Sequence, residues 1–275
     1  MVWSADPALT ADVAWPAISA AKLRSTRRLL SAKGRQSVGA FLAEGPQAVR
    51  EALAWGGLRR IMVGPEPTAV AAQLAEAAAR QGVPVAAVGG DDMALITDTV
   101  HGQGIVGICG RPSLSLGDIV RHRLVLILDE VRDPGNVGTL IRTADAFGVD
   151  AVITTSGTAE PWAPKAVRAS VGSVFHLPII TGVGFQQVVG WASHQGLKLL
   201  AADSSGWPLD EPNVVDLLSG TVAWIVGNEA AGLPPEHLAA ADETVAVPMR
   251  GRAESLNVAA AAAICLYTTA VAQDK

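Results

Sequence analysis

Cysteine is almost missing from this chain. Cys109 and Cys265 stand far apart, each inside an apolar run and without CxxC spacing. That excludes a disulfide framework and a cysteine zinc site, and it reads as two buried, reduced thiols in a cytosolic protein. The five His residues form no metal-ligand spacing either. Long apolar runs are lacking. The most apolar late stretch, residues 257–272, is Ala-rich and shorter than the roughly 20 residues of a membrane span, so it reads as a buried helix. The start, MVWSADPALTADVAW, has no basic segment followed by an apolar core, so no signal peptide is expected. An overall basic excess is absent too. The net charge of −5 argues against a protein that binds nucleic acid with its whole surface. No GxGxxG follows a strand in the second half, and no GK[ST] is present there. Dinucleotide-binding and P-loop readings are therefore disfavoured, and with them a nicotinamide-dependent oxidoreductase.

What is present is an α/β pattern. Residues 19–33 are helical and basic: Lys22, Arg24, Arg27, Arg28, Lys33 and Arg35 fall within a stretch that contains no acid. This is either the solvated face of an amphipathic helix or a local patch for RNA. VGAFLAE, LRRIMVG, VPVAAV and GIVGICG are strand-like. GPQAVREALAW, PTAVAAQLAEAAARQG and a short segment over 91–96 are helical. Residues 1–111 thus form a small α/β domain. RPSLSLGDIVRHR, with its Pro, Ser, Gly and charge, marks a linker at 112–123. Residues 124–275 form a second α/β domain, with strands at LVLILDE, DAVITT, LKLLAA, TVAWIVG and TVAVPM. Its alternation of strand and helix implies a mostly parallel sheet covered on both faces.

Three strand–loop–helix junctions in this second domain concentrate the polar residues. Open parallel sheets bind ligands beyond the carboxyl ends of their strands, so loops distant in sequence can converge there. In the first junction Asn136 sits at a helix start, and Arg142 lies on that helix's polar side. Taken alone, Asn136 reads first as an N-cap and Arg142 as an i,i+3 partner of Asp145. In the second, Gly227 and Gly232 allow close backbone approach to a ligand, and Glu229 is the only acid between them. A Glu in the first turn of a helix is the plain alternative. In the third, Ser255 is a natural N-cap for the last helix. Asn257 is a poor helix former that needs partners for its amide.

Together, and in this order, DPGNVGTLIRTADAFG, IVGNEAAGL and VPMRGRAESLNVAAAA closely resemble the three signature motifs of the SpoU (TrmH-type) family of RNA ribose methyltransferases, within the SPOUT superfamily. PKAVRASVGSVFHLPI looks like the family's segment after the second strand. FLAEGPQAVREAL resembles, more loosely, the start of the accessory RNA-holding domain of rRNA-modifying members, which is related to a ribosomal protein. The resemblance implies a parallel-sheet SPOUT domain with a trefoil knot, S-adenosylmethionine as cofactor, no metal, and a homodimer. It implies catalytic roles for Asn136, Arg142, Glu229, Ser255 and Asn257. Gly227, Val247 and Leu256 match positions lining the cofactor site, with Asn228 and Met249 as neighbouring contributors and Thr154 as a further candidate. Val247 stands where Ile is frequent, a change that keeps an apolar contact. The accessory domain and the basic residues Arg24, Arg27, Arg28, Lys33 and Arg35 favour 23S ribosomal RNA over tRNA as substrate. A catalytically inert rRNA-binding or ribosome-assembly protein is the alternative from another class.

Overall fold

The computed structural model describes residues 14–97 and 103–274. Residues 1–13 of the opening segment MVWSADPALTADVAW, Trp3 among them, lie outside the described residues. The described chain forms two compact units. One holds residues 14–112 together with Trp162–Phe175, and the other holds Ser113–Pro161 together with the chain from His176 onward.

In the first unit the basic N-terminal stretch is broken. Helix α1 (Ala20–Arg27) is capped by Ser19, and a 3₁₀ turn, Arg28–Leu30, separates it from α2 (Ala32–Val38). Ser31 enforces the restart: its hydroxyl donates to the Arg28 carbonyl at 3.0 Å and accepts from the Gly34 N–H at 3.1 Å. Only glycine fits at 34, because a Cβ there would lie 1.8 Å from the Arg28 carbonyl oxygen. The chain continues through β1 (Ala40–Glu44), α3 (Pro46–Trp55), β2 (Leu58–Val63), α4 (Ala69–Arg80), β3 (Val85–Ala87), α5 (Gly90–Ala94) and β4 (Ile105–Gly110). The sheet order is β1-β4-β2-β3, with β4 antiparallel to both its neighbours and β2 parallel to β3. Alternating residues of β2 serve two cores. Ile61 and Val63 pack with Leu74 and Val49 on one face, and Met62 packs with Leu42 and Val106 on the other.

Arg24, Arg27, Arg28 and Lys33 are exposed, but Arg35 is not an RNA contact in this fold. It is buried, and its Nη1 donates to the carbonyls of Leu29 and Leu30 at 2.9 and 3.0 Å. The tightened turn leaves those two carbonyls without helical partners, and the guanidinium supplies them.

The second unit begins inside the expected linker. Leu116–Asp118 form a 3₁₀ turn, and Ile119 is buried among Val125, Ile127 and Phe185, while most of the other residues of 113–123 are exposed. There follow β5 (Leu124–Leu128), α6 (Pro134–Ala146) and β6 (Ala151–Thr155). Helix α7 (Pro164–Ser170) belongs to the first unit. The second resumes with β7 (Ile179–Val183), α8 (Phe185–Gln195), β8 (Lys198–Pro208), α9 (Pro212–Leu218), β9 (Val222–Val226), α10 (Pro235–Ala240), β10 (Glu243–Ala246) and α11 (Val258–Gln273). Its six strands are all parallel, in the order β10-β8-β9-β5-β6-β7. Strands β5 and β9 lie in the middle and are buried along their whole length, as parallel strands covered on both faces must be. Trp224 of β9 is fully buried, and its indole N–H donates to Thr269 Oγ1 of α11 at 2.9 Å, fixing the last helix on the sheet.

The segment Trp162–Phe175 departs from the expected boundary for a packing reason. Within the first unit the Phe41 ring lies between Trp162, with ring centroids 5.0 Å apart, and Phe175, at 5.7 Å. Each such aromatic pair is worth about 1 kcal/mol beyond the area it buries. Arg168 of α7 pairs with Glu44 at 3.3 Å.

The buried Arg35 yields a stability prediction. Arg35→Ala strands two carbonyls and should cost roughly 2 kcal/mol in urea unfolding, whereas exposed Lys33→Ala should leave stability unchanged. Equal, negligible effects would refute the bracing role.

Candidate active site

Chain at the carboxyl ends of β5, β9 and β10, with residues 202–204 within β8, surrounds a cavity of about 600 Å³ in the second unit. That is where a parallel sheet with a reversal in strand order is expected to bind a ligand. The order reverses at β5: the chain runs outward through β6 and β7, then crosses to β8 on the far side of β9.

The first loop is anchored by its own helix. Asp133, and not Asn136, is the N-cap of α6, and its carboxylate accepts the Asn136 N–H at 2.9 Å. The Asn136 side chain, freed from capping, donates through Nδ2 to Glu229 Oε1 at 2.9 Å. Glu229 also accepts the backbone N–H groups of Arg132 and Asp133, each at 3.2 Å. Partial burial pushes the Glu229 carboxyl up. The Asn136 amide and the backbone N–H groups of Glu229 itself, Arg132 and Asp133 outweigh that and hold it below its ordinary value of 4.5. Glu229 is therefore an ionised hub and a poor proton donor near neutrality.

The third loop joins the same chain of contacts. Asn257, and not Ser255, caps the last helix: its Oδ1 accepts from Ala259 N at 2.9 Å and Ala260 N at 3.4 Å. Its Nδ2 reaches Asn136 Oδ1 at 3.3 Å. Glu229, Asn136 and Asn257, from three loops, thus form one hydrogen-bonded row. Ser255 is exposed on the cavity wall and makes no hydrogen bond among the described residues.

The second loop is a tight fold-back. Asn228 and Gly232 pair across it through two backbone hydrogen bonds, and Gly232 has φ +68°. A Cβ at Gly227 would lie 2.7 Å from the Gly232 carbonyl, so this glycine serves the fold-back as well as the cavity wall. The Asn228 amide spans loops, donating to the Glu130 carbonyl at 3.0 Å and accepting from Ala230 N and Ala231 N. Glu130 holds a left-handed φ of 52°, unusual for a residue with a Cβ. Asn228 and Thr155, whose Oγ1 accepts the Glu130 N–H, hold it there from both sides.

Val247, Met249 and Leu256 line the cavity with Gly227 and Asn228. Thr154 does not. It is buried, and its hydroxyl accepts the Gly182 N–H at 3.3 Å, away from the cavity wall. Arg142 does not line the cavity either. It is exposed on α6, six residues or about 9 Å of helix rise beyond Asn136, and makes no ion pair among the described residues; Asp145 pairs instead with His176 at 2.7 Å.

Two groups were missed in the sequence. Asp129 is 1% exposed, accepts the Thr155 hydroxyl at 2.7 Å and meets His237 Nδ1 at 2.6 Å, with the Phe185 ring stacked 3.6 Å from the imidazole. This buried pair clamps α10, after the second loop, to the end of β5. Nothing in the spacing of Asp129 and His237 marks it. Asp203 and Ser204, at the end of LKLLAA, also line the cavity. The rule that ligands sit at strand carboxyl ends could have found them.

The lining includes three carboxylates, Asp203, Glu229 and Glu254, and no Lys, Arg or His. Half-exposed Met249 and Leu256, with Val245 and Val247, add an apolar wall. A ligand that carries positive charge beside an apolar part suits such a lining. Among the described residues no cluster of His, Cys, Asp and Glu could hold a metal ion, and no helix is long and apolar enough to cross a membrane.

The chain belongs to the SpoU rRNA methylase family, whose model matches residues 123–267. An MRM3-like substrate-binding domain matches residues 20–107. The chain is 36% identical over 248 residues to the 23S rRNA (guanosine(2553)-2′-O)-methyltransferase RlmP of Bacillus subtilis, covering 90% of this chain and 94% of that protein. The AdoMet complex of the SpoU methyltransferase AviRb from Streptomyces viridochromogenes superposes with a TM-score of 0.79 at 28% identity, covering 91% of this chain and 98% of that one. AdoMet-bound rRNA methyltransferase from Sinorhizobium meliloti gives 0.77 at 31% identity, over 92% and 95%.

The depressed Glu229 carboxyl sets a pH prediction. Its contribution to stability is complete above 4.5, the unfolded-chain value, and is lost as pH falls through the lower folded-state value. Glu229→Gln should melt below the parent at neutral pH, and the gap should narrow as pH falls below 4.5. A gap independent of pH would contradict an ionised hub.

Proposed function

We propose that this protein methylates a ribose 2′-hydroxyl of 23S rRNA with S-adenosylmethionine as methyl donor. The observation that carries the reading is the row Glu229–Asn136–Asn257, which brings three separate loops together at the mouth of an acid-lined cavity. The names of the relatives support 23S rRNA over tRNA, and exposed Arg24, Arg27, Arg28 and Lys33 within the substrate-binding match supply cations for phosphate.

When bound, the cofactor supplies a methyl group already activated on a sulfonium. Gly227, Val247, Met249 and Leu256 would hold it, with the loop of Asn228 keeping that wall in shape. The remaining task is to place a weakly nucleophilic 2′-oxygen in line and manage its proton. Asn136 and Asn257 orient the ribose, and the unpartnered hydroxyl of Ser255 offers a further hydrogen bond. Glu229 keeps the row rigid and, being ionised and already engaged, is no proton donor. Arg142 stays protonated and cannot act as a base in that form. It binds the nucleotide's phosphate and stabilises negative charge developing on the 2′-oxygen, and the proton leaves to phosphate or water. A homodimer belongs to the same reading. Ile264, Tyr267 and Val271 form an exposed apolar stripe along α11, suited to a second copy. The trefoil knot and a cytoplasmic location are part of the proposal as well.

The deciding experiment incubates the protein with methyl-labelled S-adenosylmethionine and unmodified 23S rRNA, with tRNA in parallel. Label is expected in alkali-resistant dinucleotides from rRNA alone. Label in mononucleotides would mean base methylation, and labelled tRNA would transfer the substrate assignment. Arg142→Ala should lower kcat by roughly a hundredfold or more with unchanged cofactor binding. Near-parental turnover would remove Arg142 from the mechanism.

A further inference from the structure

Strand β8 makes an excursion where it passes the cavity. Ala201 lies opposite Thr244 of β10, yet the next pair in register is Trp207 with Val245, so residues 202–206 loop out between two adjacent partners. The excursion has a built geometry. Asp203 Oδ1 accepts both the backbone N–H of Ser205, at 3.0 Å, and its hydroxyl, at 2.7 Å. Gly206 then presses the returning chain onto β10, where a Cβ would lie 2.3 Å from the Thr244 carbonyl.

This turn uses one oxygen of the Asp203 carboxylate and leaves the other free. Oδ2 has no hydrogen bond or ion pair among the described residues, though Asp203 lines the cavity and is only partly exposed. It lies 3.7 Å from where a Cβ of Gly232 would stand, on the fold-back of the second loop. The missing side chain at 232 therefore keeps the space beside Oδ2 open. The carboxylate caps no helix, since α9 begins only at Pro212 after Glu211. A carboxylate oxygen that faces a cavity without a protein partner is free to accept from a ligand donor.

We infer that Asp203 Oδ2 is a cofactor-binding group, accepting hydrogen bonds from an O–H or N–H donor of the bound cofactor. Ser205 is its positioning residue. Two donors of S-adenosylmethionine have the right chemistry, the ribose diol and the α-ammonium. The inference rests on the reading of this cavity as the cofactor site.

The test is calorimetric titration of the full chain and its Asp203→Asn and Ser205→Ala variants. The probes are S-adenosylhomocysteine, which carries both donors, and 5′-methylthioadenosine, which keeps the diol and lacks the amino-acid end. Asp203→Asn should weaken S-adenosylhomocysteine binding by roughly ten- to a hundredfold, the loss expected for a charge-assisted hydrogen bond. Equal weakening of both probes identifies the diol as partner, and weakening of S-adenosylhomocysteine alone identifies the ammonium. Ser205→Ala, an exposed substitution that spares the fold, should lower affinity for the same probe or probes by a smaller factor. Parental affinities in both variants would overturn the assignment of Asp203 while leaving the cavity as the cofactor site. Failure of the parent protein to bind either probe would overturn both.

Discussion

The arrangement depends on one carboxylate. Glu229 gathers the backbone N–H groups of Arg132 and Asp133 and the amide of Asn136, so the loop after β9 is tied to the loop after β5 at three points. Asn136 passes the connection to Asn257, and Asn257 in turn caps the last helix. A carboxylate is suited to this position because it accepts several donors at once, and its charge makes each bond stronger than a neutral one. An apolar residue at 229 would leave two backbone donors and an amide without partners.

The same loops are tied together a second time, deeper in the fold. Asp129 and His237 form a buried pair under the Phe185 ring, and Asn228 ties the second loop to the strained backbone at Glu130. Catalysis by positioning needs such redundancy, since displacements of an ångström at the reacting atoms are expensive. The cavity wall itself is left lightly held. Ser255 and the outer oxygen of Asp203 lack partners, and Met249 and Leu256 expose apolar surface. The rigid parts and the unsatisfied parts of the site are therefore different residues, as suits a surface completed by ligand.

The first unit follows a different logic. Its exposed cations stand on a stretch broken by a capped 3₁₀ turn, and the one cation drawn inside, Arg35, serves the carbonyls that this break orphans. Six basic residues in one acid-free stretch look equivalent in one dimension, yet only the turn decides which side they take. Trp162 and Phe175 are a parallel case. They follow the first motif in sequence, but their burial partner is Phe41, more than a hundred residues earlier.

The sequence by itself determined the class of fold, the family and most of the site. Strand and helix periodicities are local, and the three motifs carry Asn136, Glu229 and Asn257 in short contiguous runs that can be read without a structure. Caps were legible as a kind but not by position. Asp133 and Asn257 won over Asn136 and Ser255 because a cap is settled by backbone dihedrals at one residue, which composition does not specify. Tertiary structure alone decided the Asp129–His237 pair, the burial of Arg35, the withdrawal of Thr154 into the β6–β7 contact and the turn that aims Asp203 at Gly232. Arg35 turns on a local break in the helix, and the others depend on contacts between strands or loops distant along the chain, which leave no periodic trace in sequence.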